Sequence, residues 1–367
     1  MKFWLIFSYA AVLCLVASGQ TLACEMRVEH LTLDLAGTTS RAEIIRPVGP
    51  VIAAAVLVHG SDVADLDNAI VSNGHIVSRP LGDIAHALAC SGVATLRYDK
   101  RHVRGAEDVD REAFSKLTLQ DLASDAERAL DRITATPDLA SRPRFLLGWS
   151  EGTAVAADVA ARRRDLAGLV LLAPVLNGFA STLQAQWPRV GMTYVERYAR
   201  DGMVDADGLK AAGDGPGGLI AKMYVGFLKG FTPGSQLNAV IDKDHDERIN
   251  LRTEATPTFQ GWFADTPGGG LGIYATDRAL PKVVAQLEKI KIPVLILQGE
   301  NDGNIDPSAA SALDREHRPQ LTIRFYPGLG HALGPAASAQ EDTFQPPAAE
   351  PLQAIGDWMH LTAGRAR

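Results

Sequence analysis

RFLLGWSEGTAVAADVA (residues 144–160) changes character halfway along. Phe145 to Gly148 form a short apolar run of the kind that makes a buried strand, and the alanine-rich stretch from Glu151 favours a helix. Between them, Gly148-Trp149-Ser150-Glu151-Gly152 sets a serine between two glycines at a strand-to-helix junction. A turn this sharp strains the serine backbone and pushes its hydroxyl out of the sheet, while the glycines let neighbouring backbone and helix pack closely. The N–H of Glu151 then lies at a helix N-terminus, where a developing negative charge is favoured. The pattern predicts Ser150 as a nucleophile and the Glu151 N–H as one donor to an oxyanion.

The neighbouring sequence supplies a sheet for that turn. VIAAAVLVHG (51–60), VATLRYD (93–99), LAGLVLLAP (166–174), KIPVLILQGEND (291–302) and LTIRFYPGLGH (321–331) read as strands. LGDIAHALACSG (81–92) and TLQDLASDAERALDRI (118–133), the latter opened by Thr118, have helical periodicity, and a last helix spans about residues 350–361. MRVEHLTLDL and RAEIIRP are two further strands joined by the turn AGTTS, and a polar loop runs from residue 61 to about Arg79. The alternation predicts an α/β fold, a mostly parallel sheet with helices on both faces. It breaks over residues 177–288, which are rich in glycine, aromatics and mixed charge and show no clear strand. That segment is expected to be an inserted cap, leaving residues 24–176 and 289–367 as the core.

The 367 residues carry a formal charge of −7, with 46% hydrophobic and 22% charged residues. This is an ordinary globular composition and argues against a general nucleic-acid binder, which needs a basic face. The start, MKFWLIFSYAAVLCLVASGQTLAC, has Lys2, an apolar run from Phe3 to Ala17 and then small and polar residues. Residues 1–23 read as a secretory signal peptide, because the run is short for a membrane span. The expected destination is the periplasm or the exterior, with no membrane span after cleavage. Lipid anchoring at Cys24 is the less favoured alternative, since Thr21 stands where such sites carry an aliphatic residue. Cys24 and Cys90 remain in the processed chain, either as a disulfide or as two separate thiols.

A serine nucleophile needs a base and an acid that orients the base. His331 and Asp302 each lie just past a strand, and three strand ends of one parallel sheet can converge on a point. Three carboxylates crowd the acid loop: Glu300, Asp302 and Asp306. Glu300 sits at the strand exit, and Asp306, beside Pro307, suits a helix N-cap, which leaves Asp302 for the histidine. In VLVHGSD, the N–H of Ser61 or of Gly60 is the expected second oxyanion donor, and His59 is read as a structural brace.

Taken together, VLVHGS, LRYDKR, GWSEG, LQGENDGNI and PGLGHAL resemble the α/β-hydrolase superfamily, and are most similar to its esterase and serine aminopeptidase-like members. The resemblance covers about residues 50–176 and 290–361 and implies the α/β-hydrolase fold. It also implies Ser150 as nucleophile, Asp302 as acid and His331 as base, with Asp99 and Arg101 bracing nearby loops. Thr153 stands where relatives often carry glycine, so a more crowded start to the helix is expected.

The expected activity is hydrolysis of a small-molecule carboxylic ester through an acyl-serine, with no cofactor and no metal. Amide or peptide cleavage by the same residues is the alternative, a thioester is less favoured, and a non-catalytic binding protein of this fold least. GLGIYA (270–275) is discounted as a nucleotide loop because no buried strand precedes it. DKDHDER (242–248) could bind a cation, but a solvated loop of the cap is the favoured reading. SDVADLDN (61–68) either contacts substrate amines or is a polar loop. The side chain of Glu151 either tunes the site or points away.

Overall fold

The computed structural model describes residues 24–365, apart from 73, 106–107, 231–235 and 267–270. The signal-peptide expectation falls on residues 1–23 and so lies outside the described residues. Among those described, eight strands form one sheet. In chain order they are β1 (Met26–Leu35), β2 (Thr38–Pro47), β3 (Ala53–Val58), β4 (Val93–Tyr98), β5 (Arg144–Trp149), β6 (Leu166–Leu172), β7 (Val294–Gly299) and β8 (Leu321–Tyr326). Their order across the sheet is β1-β2-β4-β3-β5-β6-β7-β8. β1 pairs antiparallel with β2, and β2 antiparallel with β4. Every other pairing in the sheet is parallel.

The strands are apolar without interruption because both faces of the sheet are covered. In β3, Ala54, Val56 and Val58 pack with α2 (Leu119–Ala135) and α3 (Glu151–Arg162). Its alternate residues, Ala53, Ala55 and Leu57, pack on the opposite face with α1 (Pro80–Cys90) and the C-terminal helix Ala349–Arg365. α2 begins where Thr118 predicts: its hydroxyl accepts the Asp121 N–H at 3.2 Å, and Asp121 returns the favour to the Thr118 N–H at 2.8 Å. The polar loop after β3 contains a short hairpin, Ile70–Ser72 with His75–Ser78.

Cys24 and Cys90 are joined, their Cα atoms 5.4 Å apart, so the segment before β1 is tied to the end of α1. Closing a loop of 66 residues constrains the unfolded chain and contributes roughly 2–4 kcal/mol.

Between β6 and β7 the chain builds a second, smaller core. Trp187, Tyr194, Tyr224 and Phe259 are buried there, supported by Val204, Ile249 and Leu251. The helical segments Trp187–Met192, Thr193–Val195, Ala206–Asp214, Leu219–Lys229 and Thr256–Trp262 carry most of it. Met203–Val204 and Ile249–Asn250 pair as strands of only two residues each, too short to leave a periodic signal. The last helix of the 177–288 segment, Val283–Lys289, packs on the main sheet domain instead: Val283 and Leu287 join its core, and Gln286 donates to Asp158 at 2.9 Å.

Candidate active site

Ser150 occupies the junction of β5 and α3 with φ 53° and ψ −119°, a conformation that costs an ordinary residue of order 1–3 kcal/mol. The two glycines are required by space. A Cβ on Gly152 would lie 2.5 Å from the carbonyl oxygens of Val58 and His59, and one on Gly148 would collide with the Gly152 carbonyl. Thr153 does not crowd the start of the helix. Its hydroxyl donates to the Ser150 carbonyl at 2.6 Å and accepts the Val175 N–H at 3.1 Å, bracing the turn from below.

His331 and Asp302 meet beyond the ends of β8 and β7. His331 Nδ1 lies 3.0 Å from Asp302 Oδ2 and 3.1 Å from Oδ1, and both residues are buried. The remaining capacity of the Asp302 carboxylate is filled by the N–H groups of Asn304 (2.8 Å) and Ile305 (2.7 Å) and by Gln298 Nε2 (3.0 Å). Glu300 is exposed, and Asp306 accepts the Ser308 N–H at 3.0 Å at the start of the helix Ser308–Asp314. Of the three carboxylates in this loop, Asp302 is the one at the imidazole.

Asp342 is a residue the sequence reading passed over. It is buried and accepts the N–H groups of His331 (2.7 Å), Gly303 (2.9 Å) and Phe344 (3.0 Å), so one carboxylate ties the histidine loop to the acid loop. Burial, with the nearby charge of Asp302, raises its carboxyl above the usual range. No local motif marks it; eleven residues separate it from His331.

The other ring nitrogen of His331, Nε2, faces the side-chain amide of Asn304, 3.2 Å from its Nδ2. Asn304 Oδ1 in turn accepts from Gln186, which also donates to the Asn304 carbonyl at 3.0 Å. With Oδ1 so engaged, Nδ2 is the donor and Nε2 the acceptor, and the ring proton belongs on Nδ1, against Asp302. Ser150 makes no hydrogen bond to His331 in this arrangement. Gln186 and Arg189 both reach over from the insertion, Arg189 donating to the Asp302 carbonyl at 2.7 Å.

On the other side of Ser150 lies the loop after β3. A Cβ on Gly60 would stand 3.0 Å from the Trp149 ring and 3.5 Å from Ser150 Cβ, so this loop packs directly against the serine turn. The Gly60 N–H is taken by Asn68 Oδ1 at 2.8 Å, which leaves the Ser61 N–H as the candidate donor from this loop. The Glu151 N–H is the first of α3 and has no carbonyl one turn back.

Lys100, also unforeseen, fixes this side. Its ammonium is buried and donates to the carbonyls of Gly60 (2.6 Å) and Asp62 (2.9 Å) and to Glu151 Oε1 (2.6 Å). The Glu151 side chain therefore turns inward, and its second oxygen accepts from the Tyr274 hydroxyl at 2.5 Å. Tyr274 comes from the GLGIYA stretch and stacks on Phe179, ring centroids 3.9 Å apart. Both line a cavity of about 520 Å³ between the insertion and α3.

His59 braces as expected, through a hydrogen bond from its ring to the Tyr98 carbonyl. Burial and the neighbouring Lys100 push its pKa down to about 3, so it is neutral. Asp99 holds the Leu66 N–H at 2.9 Å and Arg41 at 2.6 Å, and Arg101 pairs with Asp125 of α2. In the 61–68 loop, Asp65 accepts the Ala69 N–H at 2.9 Å, and Asp67 pairs with Arg97. Asp65 is spent on the loop itself, and Asp67 ties the loop to β4.

Comparison with solved structures gives the same architecture. A proline iminopeptidase from Mycobacterium smegmatis aligns at a TM-score of 0.52 and 16% identity, over 92% of this chain and 100% of its own. The alpha/beta hydrolase GrgF from Penicillium sp. sh18 aligns at 0.50 and 15% identity, over 93% and 98%. Est1E from Butyrivibrio proteoclasticus aligns at 0.48 and 16%, over 91% and 99%. No curated protein matches the chain by sequence. A family model described as the alpha/beta hydrolase family matches residues 55–345. The chain belongs to the alpha/beta hydrolase family.

Proposed function

We propose that the protein is a serine hydrolase that cleaves a carboxylic ester of a small molecule through an acyl-serine. The observation that carries this reading is the buried His331–Asp302 pair, 3.0 Å apart, tied to the turn of the strained Ser150 by the Trp149 indole, which donates to the His331 carbonyl at 3.0 Å. Unprotonated Nε2 takes the Ser150 proton as Oγ attacks the carbonyl, and Asp302 stabilises the imidazolium that forms. The N–H groups of Ser61 and Glu151 stabilise the oxyanion. The imidazolium then returns its proton to the leaving alkoxide, and water deacylates the serine with His331 again as base. Asn304 must leave Nε2 before that lone pair can serve Ser150.

Residues 177–288 act as a cap that selects the substrate, the cavity beside Phe179 and Tyr274 holding part of it. Export is the setting that suits the Cys24–Cys90 disulfide, which persists in oxidising compartments. The same bond occupies the sulfur that a lipid anchor on Cys24 would need.

The test is a fluorophosphonate label with a panel of acyl esters and aminoacyl amides, on wild type and Ser150→Ala. Labelling at Ser150 and ester turnover, both lost in Ser150→Ala, is the expected result. A folded Ser150→Ala variant that keeps more than about a tenth of wild-type turnover overturns the nucleophile assignment. Faster turnover of amides than of esters overturns the ester reading and leaves the nucleophile in place.

A further inference from the structure

The insertion carries a second chemical feature, remote from Ser150 in sequence. Asp242, Asp244 and Asp246 present carboxylate oxygens that all lie within 4.8 Å of one another. No lysine or arginine among the described residues forms an ion pair with any of the three. Asp244 and Asp246 are exposed, whereas Asp242 is only 6% exposed. Asp242 Oδ1 is cut off from solvent and has no hydrogen-bond partner among the described residues. An isolated buried carboxylate is costly to keep charged, and two further carboxylates beside it raise the cost.

We infer that Asp242, Asp244 and Asp246 bind a divalent cation of the calcium type. Three hard oxygen donors with no nitrogen or sulfur among them suit calcium better than a transition metal. The spacing, one acid at every second residue, is that of the first three ligands of a twelve-residue calcium loop. At the sixth position, where such loops carry glycine, Glu247 takes the left-handed conformation, φ 62°. The loop departs from that pattern at its end. The acid falls at the thirteenth position, Glu254, and is already engaged, accepting the N–H groups of Lys243 (2.9 Å) and Asn250 (2.7 Å). Glu254 thus closes the loop; Asp244 Oδ1 and Asp246 Oδ1 accept the N–H groups of Asp246 (3.2 Å) and Arg248 (2.9 Å), and each of the three aspartates keeps an oxygen for the ion. Ile241 before the cluster and Ile249 after it are both buried in the core of the insertion, so the cation fastens this loop to that core. The proposal takes the cation-binding alternative for DKDHDER in place of the solvated loop.

The test uses the whole protein, stripped with a chelator, then titrated with calcium or magnesium chloride and followed by thermal unfolding and by terbium luminescence. Wild type should gain about 5 °C in Tm at calcium near a hundred times Kd. The midpoint should fall on the order of 10⁻⁵–10⁻³ M, with magnesium weaker. Asp244→Asn with Asp246→Asn, both at exposed positions, should abolish the gain and the terbium signal. Asp242→Asn should match or exceed wild type in Tm without cation and fall below it with calcium. An equal gain in the exposed double variant overturns the proposal, as does no gain in wild type up to roughly 10 mM, well above that range.

Discussion

Two buried carboxylates flank the serine turn, and they are stabilised in different ways. Asp342 holds three backbone N–H groups and no cation, joining the loops that carry Asp302 and His331. Glu151 holds an ammonium and a phenol, Lys100 and Tyr274, joining the loop of Ser61 to the insertion. Removing the charge of Asp342 would leave neutral amides that need new acceptors. Removing that of Glu151 would leave a buried cation. The first side is organised as a polar network that joins the Asp302 and His331 loops, the second as an ion pair that holds backbone in place.

The largest effect should come from the proton path itself. Asp302→Asn is expected to lower kcat by a factor on the order of 10³ or more, by favouring the wrong imidazole tautomer. Glu300→Gln and Asp306→Asn should change kcat little; kinetics of the three variants on one ester decide the matter. If a flanking variant proves the more damaging, the acid is misassigned.

Asp342→Asn comes next. One carbonyl oxygen cannot replace two, and the new NH₂ would face backbone donors. Displacement of the two loops should cost about 10²-fold in kcat with KM nearly unchanged, because the loss is in alignment rather than binding. A variant that loses stability while keeping kcat would make Asp342 a structural residue only.

Glu151→Gln tests the other side. It leaves the Glu151 N–H in place but strands Lys100, so the expected loss is chiefly of stability, about 3–5 kcal/mol in urea unfolding. Adding Lys100→Met should restore part of it. Additive losses would mean that the pair is not coupled.

The smallest effect is in pH dependence. His59 beside Lys100 has its pKa lowered to about 3 in the folded protein, below the unfolded value of 6.5. The unfolded chain therefore binds the proton first. The stability His59 contributes is complete above the unfolded value and falls as pH drops below it, by up to about 1.4 kcal/mol per pH unit. His59→Gln should flatten the fall in stability between about pH 6 and pH 4. An unchanged slope would place the acid-sensitive group elsewhere.

Legibility followed the range of the interaction. The serine turn could be read from five adjacent residues because its glycines answer to contacts within the turn and with the next strand end. The strands were legible because burial on both faces leaves an uninterrupted apolar run, as in β3. Asp302 and His331 were legible as polar residues just past such runs. Lys100 and Asp342 were not, since each looks like an ordinary loop charge until the fold brings Glu151 or His331 to it. Tyr274 lies 123 residues from Glu151, and no local pattern encodes that meeting. The small core between β6 and β7 hid for a related reason: its strands are two residues long, and it is held by aromatic contacts such as Trp187 on Phe259, 4.6 Å between centroids.

The contact between Asn304 and His331 bears on how activity would be measured. Ser150 is 3% exposed and His331 1%, and the imidazole lone pair is occupied by an amide that Gln186 holds from above. On the serine-hydrolase reading, turnover requires an open arrangement in which Asn304 has left Nε2. Apparent affinity is then the intrinsic affinity scaled by the open fraction. Gln186→Ala would enlarge that fraction and lower KM with the chemistry of the triad untouched. Sequence drift at a single glutamine, far from the reacting atoms in the chain, would thus reset the substrate concentration at which the enzyme responds.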